Sequence, residues 1–326
     1  MDRRRFVARL AATAWVAPSL ARAQAAPLPV VGFLRTTSSA GFSHVVAALR
    51  EGLGDTGYVE GRNVVIDYRW ADDRLERLPA LADALIARRV AVIVCNSQAA
   101  TALKAKTSSV PIVFVTADDP VRRGLVATLA RPGANVTGVT FFGGGLLGGK
   151  RYELLRELVP KATVVGFLLD TSFPTSEDER ADAQTAASAR GNRLVVARVQ
   201  GPQGLAAAFD GLVKDGAAAV IVAGSPGFTG ARRELVALAA RHRLPAIYDQ
   251  RDYVEAGGMM SYGGSLAGAY REAGEYAGRI LKGAKPADLP VKQPTTFGLV
   301  VNVATLRSLK LELPSSLRLR AEALVE

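Results

Sequence analysis

Ala223-Gly224-Ser225-Pro226-Gly227 follows an apolar run and nearly matches G-x-S-x-G, the turn that presents a nucleophilic serine at the top of an α/β sheet. A hydrolase of that kind needs an acid and then a histidine after the serine, and the chain offers only Glu234 and His242, the latter inside a stretch of helical periodicity. Acyl transfer is therefore disfavoured, and the segment reads as a turn at the C-terminal edge of a strand. Gly144 to Lys150 satisfies G-x-x-x-x-G-K, but Arg151 stands where a phosphate loop needs Ser or Thr to hold magnesium. That run reads as a glycine-rich entry into a helix ending near Leu158. Gly52-Leu53-Gly54-Asp55-Thr56-Gly57 satisfies G-x-G-x-x-G, yet it falls at the end of a predicted helix instead of between a strand and a helix. Gly57 then reads as a left-handed C-cap. With Cys95 the sole cysteine and His44 and His242 the sole histidines, neither a disulfide nor a Cys- or His-rich metal site is expected. No cofactor is required.

The polar groups that remain sit at strand ends. Arg35-Thr36-Thr37-Ser38, Asn96-Ser97-Gln98 and Thr116-Ala117-Asp118-Asp119 follow apolar runs in the first half, and Asp170-Thr171-Ser172, Gly224-Ser225 and Tyr248-Asp249 follow runs in the second. The carboxyl ends of parallel strands are where open α/β sheets bind ligands, so two such edges facing each other suit a small polar molecule. The expected contacts are Thr36, Thr37, Asn96, Ser97, Gln98, Thr116, Asp118, Asp119, Phe141, Asp170, Thr171, Ser225 and Tyr248. Asn96, Ser97 and Thr116 suit a carboxylate or amide, while Asp118, Asp119 or Asp170 suits an ammonium. Phe141, Phe142, Phe173 and Tyr248 suit an apolar ring, with Tyr248 and Asn96 the leading pair. About half of these side chains are expected to do no more than cap helices or fill the core.

Positioning such edges requires alternating strands and helices. Val30 to Leu34, Val64 to Tyr68, Val90 to Cys95 and Ile112 to Val115 read as strands buried on both faces, separated by helical stretches such as Phe42 to Leu53 and Leu75 to Arg88. The pattern restarts with Val164 to Leu169, Leu194 to Ala197, Ala218 to Ala223 and Ala246 to Tyr248, around helices such as Asp178 to Arg190 and Arg232 to His242. The fold class is therefore α/β: two doubly wound parallel-sheet lobes of four strands each, joined near Asn135 to Thr140. A third section supplies a strand, Met259 to Tyr262, a helix, Leu266 to Lys282, and a Pro-rich return. It is too small for a domain, so the chain crosses between lobes more than once and forms a hinge. Residues 28–138 plus about 252–292 are assigned to the first lobe, and 139–251 plus about 293–326 to the second.

Residues 1–23 read as an export signal: Arg3-Arg4-x-Phe6 resembles a twin-arginine start, a short apolar stretch follows, and Ala21-Arg22-Ala23 suits cleavage. The chain has 326 residues, 49% hydrophobic and 22% charged, a globular composition with room for two cores. Its +11 net charge falls to +7 without residues 1–23, leaving 36 basic against 29 acidic residues. No basic stripe interleaved with aromatics appears, so nucleic acid is not an expected partner.

Gly57-Tyr58-Val59-Glu60-Gly61-Arg62-Asn63-Val64, Asp119-Pro120-Val121, Leu129-Ala130-Arg131-Pro132-Gly133-Ala134-Asn135-Val136-Thr137-Gly138, Gly257-Gly258-Met259-Met260-Ser261-Tyr262-Gly263 and Leu281-Lys282-Gly283-Ala284-Lys285-Pro286 carry a resemblance that runs through nearly the whole chain beyond residue 23. The chain resembles the ABC-transporter substrate-binding family whose better-known members take tryptophan or tyrosine. That resemblance implies a type I periplasmic-binding-protein fold and a non-enzymatic monomer in the periplasm, delivering a solute to the permease of an ABC importer. Cys95-Asn96-Ser97-Gln98 and the loop from Ser172 to Asp178 depart from the family's text, which leaves an amino acid as the default ligand. An exported hydrolase or a ligand sensor on the same lobes is the alternative.

Overall fold

The computed structural model describes residues 27–141, 147–294 and 296–326. The export segment 1–23, Phe142 and residues 144–146 of the glycine-rich run lie outside the described residues.

Runs of Val, Ile and Leu buried on both faces become parallel strands. In the first sheet these are β1 (Val30–Arg35), β2 (Val65–Trp70), β3 (Val92–Asn96), β4 (Ile112–Thr116) and β5 (Val136–Thr140), in the order β2-β1-β3-β4-β5. All four pairings are parallel. The second sheet contains β6 (Val164–Asp170), β7 (Arg193–Val199), β8 (Ala219–Val222), β9 (Ala246–Tyr248), β10 (Met260–Gly263), β11 (Gly298–Asn302) and β12 (Ala321–Val325). Its order is β12-β11-β10-β9-β8-β6-β7, parallel except where β11 runs against β10.

Two lobes of α/β architecture thus replace the expected four plus four strands with five plus seven. Val136–Thr140, expected as the join, is a full partner of β4. The section after Tyr253 divides between the sheets. Met260 and Ser261 lie beside Ile247 and Tyr248 in the second sheet, although the interval 252–292 was assigned to the first lobe. The helix Leu266–Leu281 then returns to the first lobe, where Leu266, Ala269, Tyr270, Ala273, Ala277 and Ile280 join the core beneath β1, β3 and β4. Their three- and four-residue spacing gives one apolar stripe, and the first sheet has a face to cover. The chain passes between lobes after β5, after β10 and again before β11. Thr140 N–H donates to Lys292 O at 2.8 Å and Lys292 N–H to Gly138 O at 3.0 Å, so the first and third passages run side by side.

The glycine-rich text at 52–57 resolves into two uses, neither involving a dinucleotide. Gly57 has φ +91° and ends the helix Ser43–Asp55, as its sequence context predicts. Gly52 lets that helix approach Leu266–Leu281: a Cβ there would lie 1.8 Å from Arg271 O, and one at Gly274 would lie 2.4 Å from Leu49 O. Alanine at either position forces the helices apart. Gly274→Ala should lose about 1 to 3 kcal/mol in urea unfolding, the usual cost of overpacking, whereas Gly54→Ala, with open space around it, should lose none. Equal midpoints for Gly274→Ala and parent would show that the helices do not pack this closely.

Candidate functional site

Strand order reverses between β1 and β3 in the first sheet and between β6 and β8 in the second. At such a switch point the flanking connections leave toward opposite faces and open a crevice at the strands' carboxyl ends. Arg35, Asn96 and Ser97 stand at the first crevice; Asp170, Gly224 and Ser225 stand at the second. The two crevices face each other across a shared cavity. Arg35, Asn96, Ser97, Thr116, Phe141 and Tyr270 line it from the first lobe and its crossing segments, with Val115, Ala117 and Leu266. Phe173, Gly224, Ser225, Pro226, Thr229, Asp249 and Gln250 line it from the second. Beside it a larger and more polar recess takes in Thr36, Asp73, Glu76, Gln98, Asp170, Ser172 and Gln200.

Several expected contacts are occupied in holding the walls. Asn96 accepts from Thr36 N–H at 3.3 Å and donates to Thr36 Oγ1 at 2.9 Å, tying the ends of β1 and β3. Thr116 Oγ1 accepts from Asp118 N–H. Asp170 accepts from Ser172 N–H and Oγ–H, from Gly201 N–H and from Ser225 Oγ–H, so its carboxylate organises three loops. Ser225 also caps the helix Pro226–Gly230, and no histidine stands beside it: His242 stacks on Phe209 and faces Asp210 at 3.3 Å.

Other expected contacts do not line either cavity. Thr37 accepts from Arg35 Nε–H, Thr171 donates to Val199 O, and Asp119 accepts from the backbone of Val121 and Arg122. Asp118 is buried against Arg123 at 3.3 Å; burial raises its pKa, and Arg123 pulls the other way. Tyr248 turns away from the cavity to stack on Tyr253 at 4.6 Å within the second lobe's core. Arg35, Tyr270, Asp249 and Gln250 are in the wall although the sequence did not single them out as contacts. An arginine closing an otherwise apolar strand was the available signal for the first of them.

Bonds span the cleft in two groups. Arg232 Nη1–H donates to Gly41 O at 3.0 Å, and His44 faces Asp252 at 3.4 Å. Gln98 Nε2–H donates to Ser172 O at 3.2 Å, Arg123 Nη2–H to Thr175 Oγ1 at 3.3 Å, and Arg122 lies 3.7 Å from Asp178. The lobes are therefore shut around the cavity.

A family model described as ABC transporter substrate binding protein matches residues 31–325. A tyrosine-binding protein of Clostridioides difficile is 25% identical over 262 residues, 80% of this chain and 74% of its own length. Among solved structures, a Streptococcus pneumoniae ABC domain in complex with L-Trp is 23% identical, covers 91% of this chain and all of its own, and has a TM-score of 0.81. A ligand-free, open substrate-binding protein with adhesive properties from Clostridium difficile is 24% identical with coverages of 91% and 99%, at a TM-score of 0.64.

Asp249 makes a measurable statement about this wall. Burial raises its pKa from 3.8 to about 7, with Arg151 lowering it and Glu179 raising it. The native state therefore holds this proton more tightly than the unfolded chain does, and stability falls as pH rises from about 4 to 7. Asp249→Asn removes the buried charge. The variant should melt higher than the parent at pH 8, by up to roughly 4 kcal/mol in stability, with the gain shrinking toward pH 4. A gain independent of pH would mean that Asp249 is not the titrating group. Tyr248→Phe should leave ligand binding unchanged and raise stability by about 1 kcal/mol, because the Tyr248 hydroxyl is buried without a partner.

Proposed function

The chain belongs to the ABC transporter substrate-binding protein family, a family of binding proteins and not of enzymes, and on that premise we propose that it is the exported solute receptor of an ABC importer. It captures one small molecule between its lobes in the periplasm and presents the closed form to a membrane permease. The N-terminal signal directs export, with cleavage near Ala23, and the mature chain acts as a monomer. The hinge lies at the three passages, so the lobes comprise 27–140 with 264–291 and 147–263 with 292–326. The contacts proposed for the ligand are Asn96, Ser97, Thr116, Phe141 and Ser225, joined by Arg35, Tyr270, Asp249 and Gln250.

The observation that carries this reading is the cavity at two facing switch points, bridged by hydrogen bonds from opposite lobes. A ligand favours the shut form only through contacts with both walls. The chain superposes better on the L-Trp complex than on the ligand-free, open structure at the same coverage, which supports reading its lobes as closed. The relatives' ligands, tyrosine and tryptophan, support an amino acid-like solute.

Mass spectrometry of the purified protein after denaturation should find a released small molecule. Adding it back to stripped protein should raise the melting temperature and reduce the radius of gyration in small-angle scattering. A stripped protein whose scattering curve never changes at saturation is not a closing receptor.

A further inference from the structure

Arg35 ends β1 inside the cleft, and it is only 2% exposed. Among the described residues no carboxylate lies within 4.0 Å of it. Its partners are neutral. Nε–H donates to Thr37 Oγ1 at 3.4 Å and Nη1–H donates to Tyr270 OH at 2.5 Å. The guanidinium carbon lies 4.0 Å over the Phe42 ring and 5.2 Å from the centre of the Tyr270 ring. A guanidinium has five N–H donors, so three of those on Arg35 have no acceptor among the described residues, on a side chain that lines the cavity. A cation removed from water without an anion is strongly unfavourable, and a planar fork of free donors fits a carboxylate in two-point contact.

The facing wall asks for the opposite kind of group. Asp249 and Gln250 are buried at the cavity, and each holds one side-chain oxygen, Oδ1 and Oε1, that has no partner. Between these ends the lining is apolar at Val115, Phe173 and Leu266.

We infer that Arg35 is the receptor for a carboxylate: the solute is an organic acid whose carboxylate sits on Arg35, whose apolar or aromatic body crosses the cavity, and whose far end gives an N–H or O–H to Asp249 and Gln250. This rests on the receptor reading and narrows it. No acid is ion-paired with Arg35, and Asp73, whose charge reaches it, lines the adjoining recess and not this cavity, so an α-amino group is dispensable. The high proton affinity of Asp249 fits a neutral hydrogen-bonding partner at the far end.

Four probes separate the groups: 3-(4-hydroxyphenyl)propionate has acid and hydroxyl, tyramine lacks the acid, 3-phenylpropionate lacks the hydroxyl, and tyrosine adds the ammonium. In calorimetric titration of the stripped full chain, 3-(4-hydroxyphenyl)propionate should bind, with tyramine and 3-phenylpropionate each weaker by roughly 10- to 150-fold. Tyrosine should match the propionate within a few-fold. Arg35→Met should cost the propionate a similar factor without weakening tyramine, whose ammonium it no longer repels, and melting of the unliganded variant reports any loss of scaffold. Tyramine binding as tightly as the propionate, or Arg35→Met weakening both alike, overturns the assignment. So does a site that takes tyrosine and rejects the propionate, because it reads the ammonium. If no probe binds, the organic-acid assignment fails; a non-acidic solute released on denaturation would leave the receptor reading standing.

Discussion

The buried ion pair between Arg151 and Glu179 is the constraint on which the cleft face of the second lobe depends. Arg151 is fully buried, and its Nη1–H donates to Glu179 Oε1 at 3.0 Å. A buried pair is tolerable only when the remaining donors and acceptors are also satisfied. Arg151 Nε–H reaches Tyr262 O at 2.9 Å, and Glu179 Oε2 accepts from Gly224 N–H at 3.1 Å. One charge pair thereby fixes the helices Gly148–Leu158 and Thr175–Ser188 to the ends of β8 and β10. Ser225 and its helix follow directly from the Gly224 anchor. Asp249 is placed within the field of both charges, which oppose each other there, and burial is what raises its pKa.

The first lobe builds its wall from neutral groups and one ion pair. Asn96 and Thr36 bond reciprocally, Thr116 turns the chain at Asp118, and the acid at 118 is spoken for by Arg123. The cation in this wall is left with hydroxyls and ring faces. The cleft is therefore asymmetric: the second lobe presents the carboxyl groups of Asp170 and Asp249, and the first presents the guanidinium of Arg35.

The α/β alternation was legible because strands buried on both faces are written as unbroken β-branched runs. Besides β5, expected as the join, two strands escaped, and they were hidden for different reasons. Ala321–Val325 alternates half-buried and exposed residues at a sheet edge, so it carries Glu322 and reads as polar. Gly298–Asn302 is short and runs against its neighbour, following no crossover helix. At the site, strand ends were readable but the direction of each side chain was not. Tyr248 and Asp249 are adjacent, and the two-residue period of a strand sends one into the core and the other to the cavity. Thr171 and Asp119 satisfy nearby backbone, a use that residue type alone does not distinguish from ligand contact. Tyr270 reaches the wall from a helix far along the chain, and only the topology reveals it.

That helix, Leu266–Leu281, fills the core of a sheet whose five strands end by Thr140. During synthesis the first sheet leaves the ribosome with one apolar face covered only by the helix Ser43–Asp55, and that face stays half-covered until the second lobe has nearly all been made. Pairings of such long sequence separation fold slowly and expose the nascent chain to association. The two lobes are separate in space but are one cooperative unit in assembly, so a fragment ending at Thr140 holds every strand of the first sheet and lacks the helix that lets it persist.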